Sequence, residues 1–211
     1  MDCKFLMLFI QKIFQKFTMK FFYCSYCMYV LVRLTQHVMS AQDTESFLAK
    51  TFASALVQVK RSYDKFMQAQ LRSIKEMKPN RKTKCGILPF VSNFEEFAHT
   101  AELIFKHTER RNDLDKWHLK LVTAMFEEIP RIASEHPKTP QEVVKMENFH
   151  HLHDLLSQLK ISVLDGLRKD AKLRYNEALK NYVTQYFGRP LEKLNVSSYT
   201  ILLPDLLILL T

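Results

Sequence analysis

The run TESFLAKTFASALVQVKRSYDKFMQAQLRSIKEM, residues 44–77, decides the fold. Its apolar positions are Leu48, Phe52, Leu56, Val59, Tyr63, Phe66, Met67, Leu71, Ile74 and Met77. Steps of three and four separate nearly all of them, which is the spacing of one helical face, and no Gly or Pro interrupts the run. At 1.5 Å per residue such a helix would reach about 50 Å. That length suits an elongated bundle or rod.

The same period continues downstream. Pro79 ends the first helix, and residues 78–86 form a loop before the apolar Ile87-Leu88-Pro89-Phe90-Val91. Ser92 with Glu95, or Asn93 with Glu96, makes a capping box that would open the next helix. Its buried stripe would be Phe94, Phe97, Ala98, Ala101, Ile104 and Phe105. Asn112-Asp113 marks a turn or cap. Leu114, Trp117, Leu121, Met125, Ile129 and Ile132 then carry the period on, with Pro130 expected to kink or shorten that element. Thr139-Pro140-Gln141-Glu142 reads as N-cap, N1 and a capping-box acceptor. The stripe from there is Val143, Met146, Phe149, Leu152, Leu156 and Leu159, continuing past Gly166 to Leu173, Leu179, Tyr182, Val183 and Tyr186, with Gly188 and Pro190 as the stop. No segment alternates with period two. The expectation is an all-α fold, an elongated rod of long amphipathic helices in bundles.

Composition agrees. Only Gly86, Gly166 and Gly188 occur in 211 residues, so no glycine-rich phosphate loop or G-x-G-x-x-G turn can be written. The Ser nucleophile elbow is likewise missing. A net charge of +9 favours acidic partners without choosing between nucleic acid and anionic lipid. Four cysteines without a secretory signal read as reduced cytosolic thiols.

The ends differ from the middle. Residues 1–32 are dense in aromatic and aliphatic side chains, with Lys12, Lys16 and Lys20 at helical spacing. No window of about 20 residues there is apolar enough to span a bilayer. An ordinary packed helix (or sequence foreign to the fold) and a basic interfacial helix are the two readings. Ile201–Leu210 is equally apolar, broken by Pro204, and too short to cross a membrane.

Candidate chemistry is sparse. Glu147 and His150 form a single Glu-x-x-His step, whereas a di-iron bundle needs two such steps and two further glutamates. Cys24 and Cys27 have redox spacing without a βαβ context or a second zinc-ligand pair. No catalytic, metal or cofactor site is assigned. The positive signal is a basic cluster, Arg72, Lys75, Lys78, Arg81, Lys82 and Lys84, opposed only by Glu76. Such a cluster can hold anionic headgroups at about 1 kcal/mol per basic residue, or an acidic partner. Aromatics for base stacking are not interleaved, so nucleic acid is not expected.

A resemblance rests on many short stretches in order. They include Val59-Lys60-Arg61-Ser62-Tyr63-Asp64-Lys65-Phe66-Met67, Cys85-Gly86-Ile87-Leu88-Pro89-Phe90-Val91 and Asn93-Phe94-Glu95-Glu96-Phe97. Met146-Glu147-Asn148-Phe149-His150-His151 and Pro190-Leu191-Glu192-Lys193-Leu194-Asn195 continue the series. Over residues 28–195 the chain resembles the C-terminal helical region of the exocyst component 1 family. Residues 1–27 and the tail 196–211 fall outside the likeness, so the chain reads as a truncated or divergent fragment.

The resemblance implies a piece of a helical rod, no catalysis, and vesicle tethering at the plasma membrane before fusion. Its implied partners are the other exocyst subunits, with cytoplasmic, peripheral localisation and no small-molecule substrate. The family's N-terminal lipid- and GTPase-binding domain has no counterpart in this sequence, so those activities are not carried over.

Overall fold

The computed structural model describes residues 20–188. The apolar run Phe5–Ile10, Pro190 and the tail 196–211 lie outside the described residues. Among the described residues six α-helices follow one another: α1 Lys20–Met39, α2 Phe47–Lys75, α3 Pro89–Phe105, α4 Arg111–Glu135, α5 Gln141–Leu159 and α6 Asp165–Val183. A 3-10 turn at Ser162–Leu164 precedes α6, and a π turn at Thr184–Gly188 follows it. No strand occurs among the described residues, so the fold is all-α.

One apolar core joins the helices. α1 packs on α2 and α3, α2 on α4, α3 on α4 and α5, and α5 on α6. Met28, Leu31 and Val32 are buried in that core, which makes this part of α1 an ordinary packed helix. On α2 the predicted stripe is buried at Val59, Tyr63, Met67 and Ile74, but Leu48 is 60% exposed. The N-terminal turns of α2 therefore stand outside the core.

Three helix starts differ from expectation. α3 begins at Pro89 rather than at a Ser92 or Asn93 cap. An N-cap contributes about 1 kcal/mol, whereas full burial of an aromatic or aliphatic side chain contributes about 1.5–3 kcal/mol. Starting at Pro89 brings Phe90 and Val91 into the core with Phe94, Phe97, Ala98, Ala101 and Phe105. Pro89 supplies a preset N1 backbone. Likewise α5 has Pro140 as its N-cap residue with no side-chain cap, and Thr139 and Glu142 do not form the expected box. Asn112 and Asp113 lie within the first turn of α4 instead of in a connection.

Pro130 neither ends nor shortens α4, which runs on to Glu135. A proline at that position leaves the carbonyl four residues earlier without its helical donor. That carbonyl belongs to Phe126, and Arg174 Nη1 from α6 donates to it at 3.2 Å. The Arg174 guanidinium also lies over the Phe126 and Phe149 rings, at 5.0 and 5.5 Å from their centroids. Asp170 Oδ2, 3.2 Å from Arg174 Nε, completes the clamp.

The helix expected to continue past Gly166 breaks earlier. Lys160 takes a left-handed conformation at φ 51° and its N–H returns to the Leu156 carbonyl, closing α5. The expected α6 stripe is not the packed one: Leu173 is 67% exposed, and Leu179, Val183 and Tyr186 are also exposed. Ala171 and Ala178 are the buried residues of α6, so its backbone approaches α5 through small side chains, flanked by Leu167 and Tyr175.

Polar groups fix the remaining contacts. Lys60 Nζ pairs with Asp64 on α2 at 2.6 Å, and Trp117 of α4 donates to the same carboxylate at 3.2 Å. Thr35 of α1 accepts from Arg110 Nε. His118 is fully buried, edge-on to Phe94 and Phe97. Burial, with the Arg111 charge adding to it, pushes its pKa down to about 3. The imidazole is therefore neutral, and its 3.6 Å approach to Glu102 is no ion pair. The true partner of Glu102 is Arg111. Burial opposes that guanidinium's charge, but Glu102 and Asp115 outweigh it and raise its pKa.

Candidate functional site

The connection between α2 and α3 carries the basic cluster, and its backbone is held from one side. Asn80 Oδ1 accepts from the Lys82 N–H, forming a local turn. Arg131 Nη2 of α4 donates to the Met77 carbonyl at 2.8 Å. Lys138 Nζ donates to the Lys82 carbonyl at 2.6 Å. His136 Nδ1 accepts from the Lys138 and Thr139 N–H groups, which assigns the ring proton to Nε2. That atom donates to the Asn80 carbonyl at 3.0 Å.

Asn148 and Thr139 close the far end. Thr139 Oγ1, expected to cap its own helix, accepts from the Cys85 N–H at 2.8 Å. Asn148 is fully buried on α5. Its Oδ1 accepts from the Leu88 N–H at 2.8 Å, and its Nδ2 donates to the Gly86 and Val144 carbonyls. One open donor at the N-terminus of α3, the Leu88 N–H, is thus satisfied by a side chain sixty residues away in sequence. The Met77, Asn80, Lys82 and Gly86 carbonyls and the Cys85 and Leu88 N–H groups are thus held by residues 131–148.

The predicted site residues sit on this frame. Arg72 and Lys75 lie in the last turn of α2, one helical turn apart. Lys78, Arg81, Lys82 and Lys84 lie on the loop, and all six side chains are exposed. None forms an ion pair with a carboxylate among the described residues. Lys138, which the sequence did not single out, joins the cluster through its bond to Lys82.

Arg131 is the strut behind the loop. Glu128 and Glu135 hold it, and the hydrogen bond that Arg131 donates to Glu128 chiefly raises its pKa. Burial, then the charge of Glu147, pushes the Cys85 thiol up, away from nucleophilic thiolate character. The arrangement displays exposed cationic side chains on a backbone hydrogen-bonded from behind.

The other candidates are not drawn together. His150 Nδ1 lies 3.2 Å from Asp154 Oδ2 and its ring meets Tyr175 edge-on, so the partners it has are not Glu147. No group of three or more metal-ligating side chains converges among the described residues. Cys27 is buried in the packed half of α1. No helix among the described residues is long and apolar enough to cross a membrane.

With this geometry in place, comparison with known proteins is informative. Residues 4–199 match the family model of Exocyst complex component Sec3, C-terminal. Exocyst complex component 1 of Drosophila melanogaster is 65% identical over 170 residues, 81% of this chain and 19% of that protein. The Mus musculus protein of the same name is 50% identical over 170 residues, 80% of this chain and 19% of its own length. That of Dictyostelium discoideum is 22% identical over 143 residues, covering 65% of this chain and 16% of its own. The chain therefore spans about a fifth of the length of these curated relatives. No solved structure matches it.

Proposed function

Because this chain belongs to the Exocyst complex component Sec3 C-terminal family, we propose that it works as a non-catalytic helical part of the exocyst. In this reading it helps hold secretory vesicles at the plasma membrane before fusion. It does so through helix-mediated contacts with other exocyst subunits, from the cytoplasmic side and without a small-molecule substrate or cofactor. The family match over residues 4–199 carries the proposal. An all-α core with exposed apolar side chains such as Leu173 and Val183 supports it, since unpartnered apolar helix faces suit association. The rod-like arrangement of successive bundles belongs to the same proposal. Co-precipitation of the folded 211-residue chain with exocyst subunits from a cytosolic extract tests it. Recovery with none of them would count against assembly.

A second reading is favoured by one observation: six exposed cations without carboxylate partners stand on a backbone pinned from behind. Arg72, Lys75, Lys78, Arg81, Lys82 and Lys84 would then contact anionic headgroups or an acidic partner. Fixing the backbone in advance reduces the ordering cost of binding. Liposome flotation decides between a lipid and no lipid contact. The expected result is binding that rises with anionic lipid content and falls when Arg81, Lys82 and Lys84 are changed to Gln. Binding indifferent to either change removes this reading.

A further inference from the structure

His136 is buried where the α4–α5 connection meets the α2–α3 connection. Its Nε2 donates to the Asn80 carbonyl at 3.0 Å, and its Nδ1 accepts from the Lys138 and Thr139 N–H groups at 3.3 and 3.1 Å. Only the neutral ring with its proton on Nε2 can make all three bonds. The two residues that Nδ1 holds carry the next anchors. Lys138 Nζ donates to the Lys82 carbonyl, and Thr139 Oγ1 accepts from the Cys85 N–H. One ring therefore stands behind both contacts that fix residues 82–85. The flanking contacts do not depend on it: Arg131 holds Met77, and Asn148 holds Gly86 and Leu88.

Imidazole is the side chain that gains its proton between about pH 5 and 8. On protonation Nε2 keeps its hydrogen and its bond to Asn80. Nδ1 turns from acceptor to donor and faces two other donors, so both of its bonds are lost. No described carboxylate is placed to compensate. Glu128 and Glu135 of α4 hold Arg131, and Glu142 of α5 holds Lys145. Glu76, at the end of α2, and Glu147 of α5 form no ion pair with the ring, and the histidines that meet acids are His118, His150, His151 and His153. Besides the Cys85 thiol, the two connections contribute only cations: Lys78, Arg81, Lys82, Lys84 and Lys138.

We propose that His136 is a pH-operated latch on the basic loop. Neutral, it ties residues 82–85 to the α4–α5 connection. Protonated, it lets go of Lys138 and Thr139 and frees the segment that carries Lys82 and Lys84, while Asn80, Gly86 and Leu88 stay bonded. The latch is a property of the fold and works whatever the loop contacts.

NMR on the full 211-residue chain between about pH 8 and 5 tests it. The imidazole nitrogen shifts report the state of His136, and amide exchange, corrected for its intrinsic pH dependence, reports the bonds. The expected result is that protection at the Lys138, Thr139 and Cys85 amides falls about tenfold or more, as the loss of two ordinary hydrogen bonds implies. The fall should share its midpoint with His136, and the Leu88 amide should not change. In His136→Asn a carbonyl oxygen that does not titrate can accept from the same two N–H groups, so the step should vanish. Protection that stays constant while His136 titrates would overturn the proposal, as would a ring still neutral at the acid end. The same step in His136→Asn, or a parallel fall at Leu88, would overturn it too.

Discussion

Replacing Asn148 by alanine removes the side chain that closes the α2–α3 connection onto α5. The Leu88 N–H, buried with its residue, loses its acceptor at 2.8 Å. Orphaning a buried donor costs about 1–3 kcal/mol. The Gly86 carbonyl belongs to an exposed residue, so water replaces most of what Asn148 Nδ2 gave it. Alanine returns about 0.5 kcal/mol through better helix propensity at a mid-helix site. The net loss is about 0.5–2.5 kcal/mol, and at roughly 2–4 °C per kcal/mol for a domain of this size Tm falls by about 1–10 °C. Urea unfolding gives the free energy, and hydrogen exchange at the Leu88 amide reports the bond itself. Asn148→Asp keeps an acceptor for Leu88 but sets carboxylate oxygen against the Gly86 and Val144 carbonyls. It should be at least as destabilising at neutral pH. A loss under about 0.5 kcal/mol in Asn148→Ala, with Leu88 still protected from exchange, would refute the idea that this side chain caps α3.

Other outcomes follow from the same structure. Arg174→Ala should cost about 1–3 kcal/mol in urea unfolding, because the Phe126 carbonyl freed by Pro130 loses its donor; Arg174→Lys should recover only part, lacking the fork and the ring stacking. Because His118 has its folded pKa depressed to about 3, against about 6.5 unfolded, the unfolded state binds the proton first as pH falls. Its stabilising share is complete above pH 6.5 and drains away towards pH 3, by about 2 kcal/mol between pH 6.5 and 5. His118→Phe, packed between Phe94 and Phe97, should flatten the pH dependence of unfolding by that amount; an unchanged slope would show that His118 is not buried neutral. Lys160→Gly should raise Tm, since Lys160 holds φ 51° at a helix end where glycine is unstrained; a gain of about 0.5–1 kcal/mol is expected, and destabilisation would place Lys160 outside that conformation.

The helices were legible because their apolar residues repeat at helical spacing. The stripe Leu114, Trp117, Leu121, Met125, Ile129 and Ile132 is buried throughout, as its period requires. Helix ends were less legible wherever a local cap competed with burial. Ser92 and Asn93 carry a good capping signal, yet Phe90 and Val91 just before them have more to gain from the core. On α6 the large residues gave a plausible stripe, but Ala171 and Ala178 won the interface because small side chains allow close approach to α5. Pro130 reads as a breaker only until Arg174 is brought beside it, and nothing local to residue 130 announces a donor at residue 174. The basic cluster could be read directly; what holds it could not. Arg131, His136 and Lys138 act through bonds to residues about 50 positions away. Asn148 alone left a trace: it is a polar residue at the core register of Val144 and Leu152, which in hindsight asks for a buried partner.

The central claim is that this helical chain acts by association with exocyst subunits. Co-migration of the purified, fluorescently labelled 211-residue chain with purified exocyst subunits on size exclusion tests it most directly. The account predicts a shift of the label into the complex fraction that unlabelled chain competes away. A labelled chain that is folded, monomeric and eluting alone beside every subunit would contradict it.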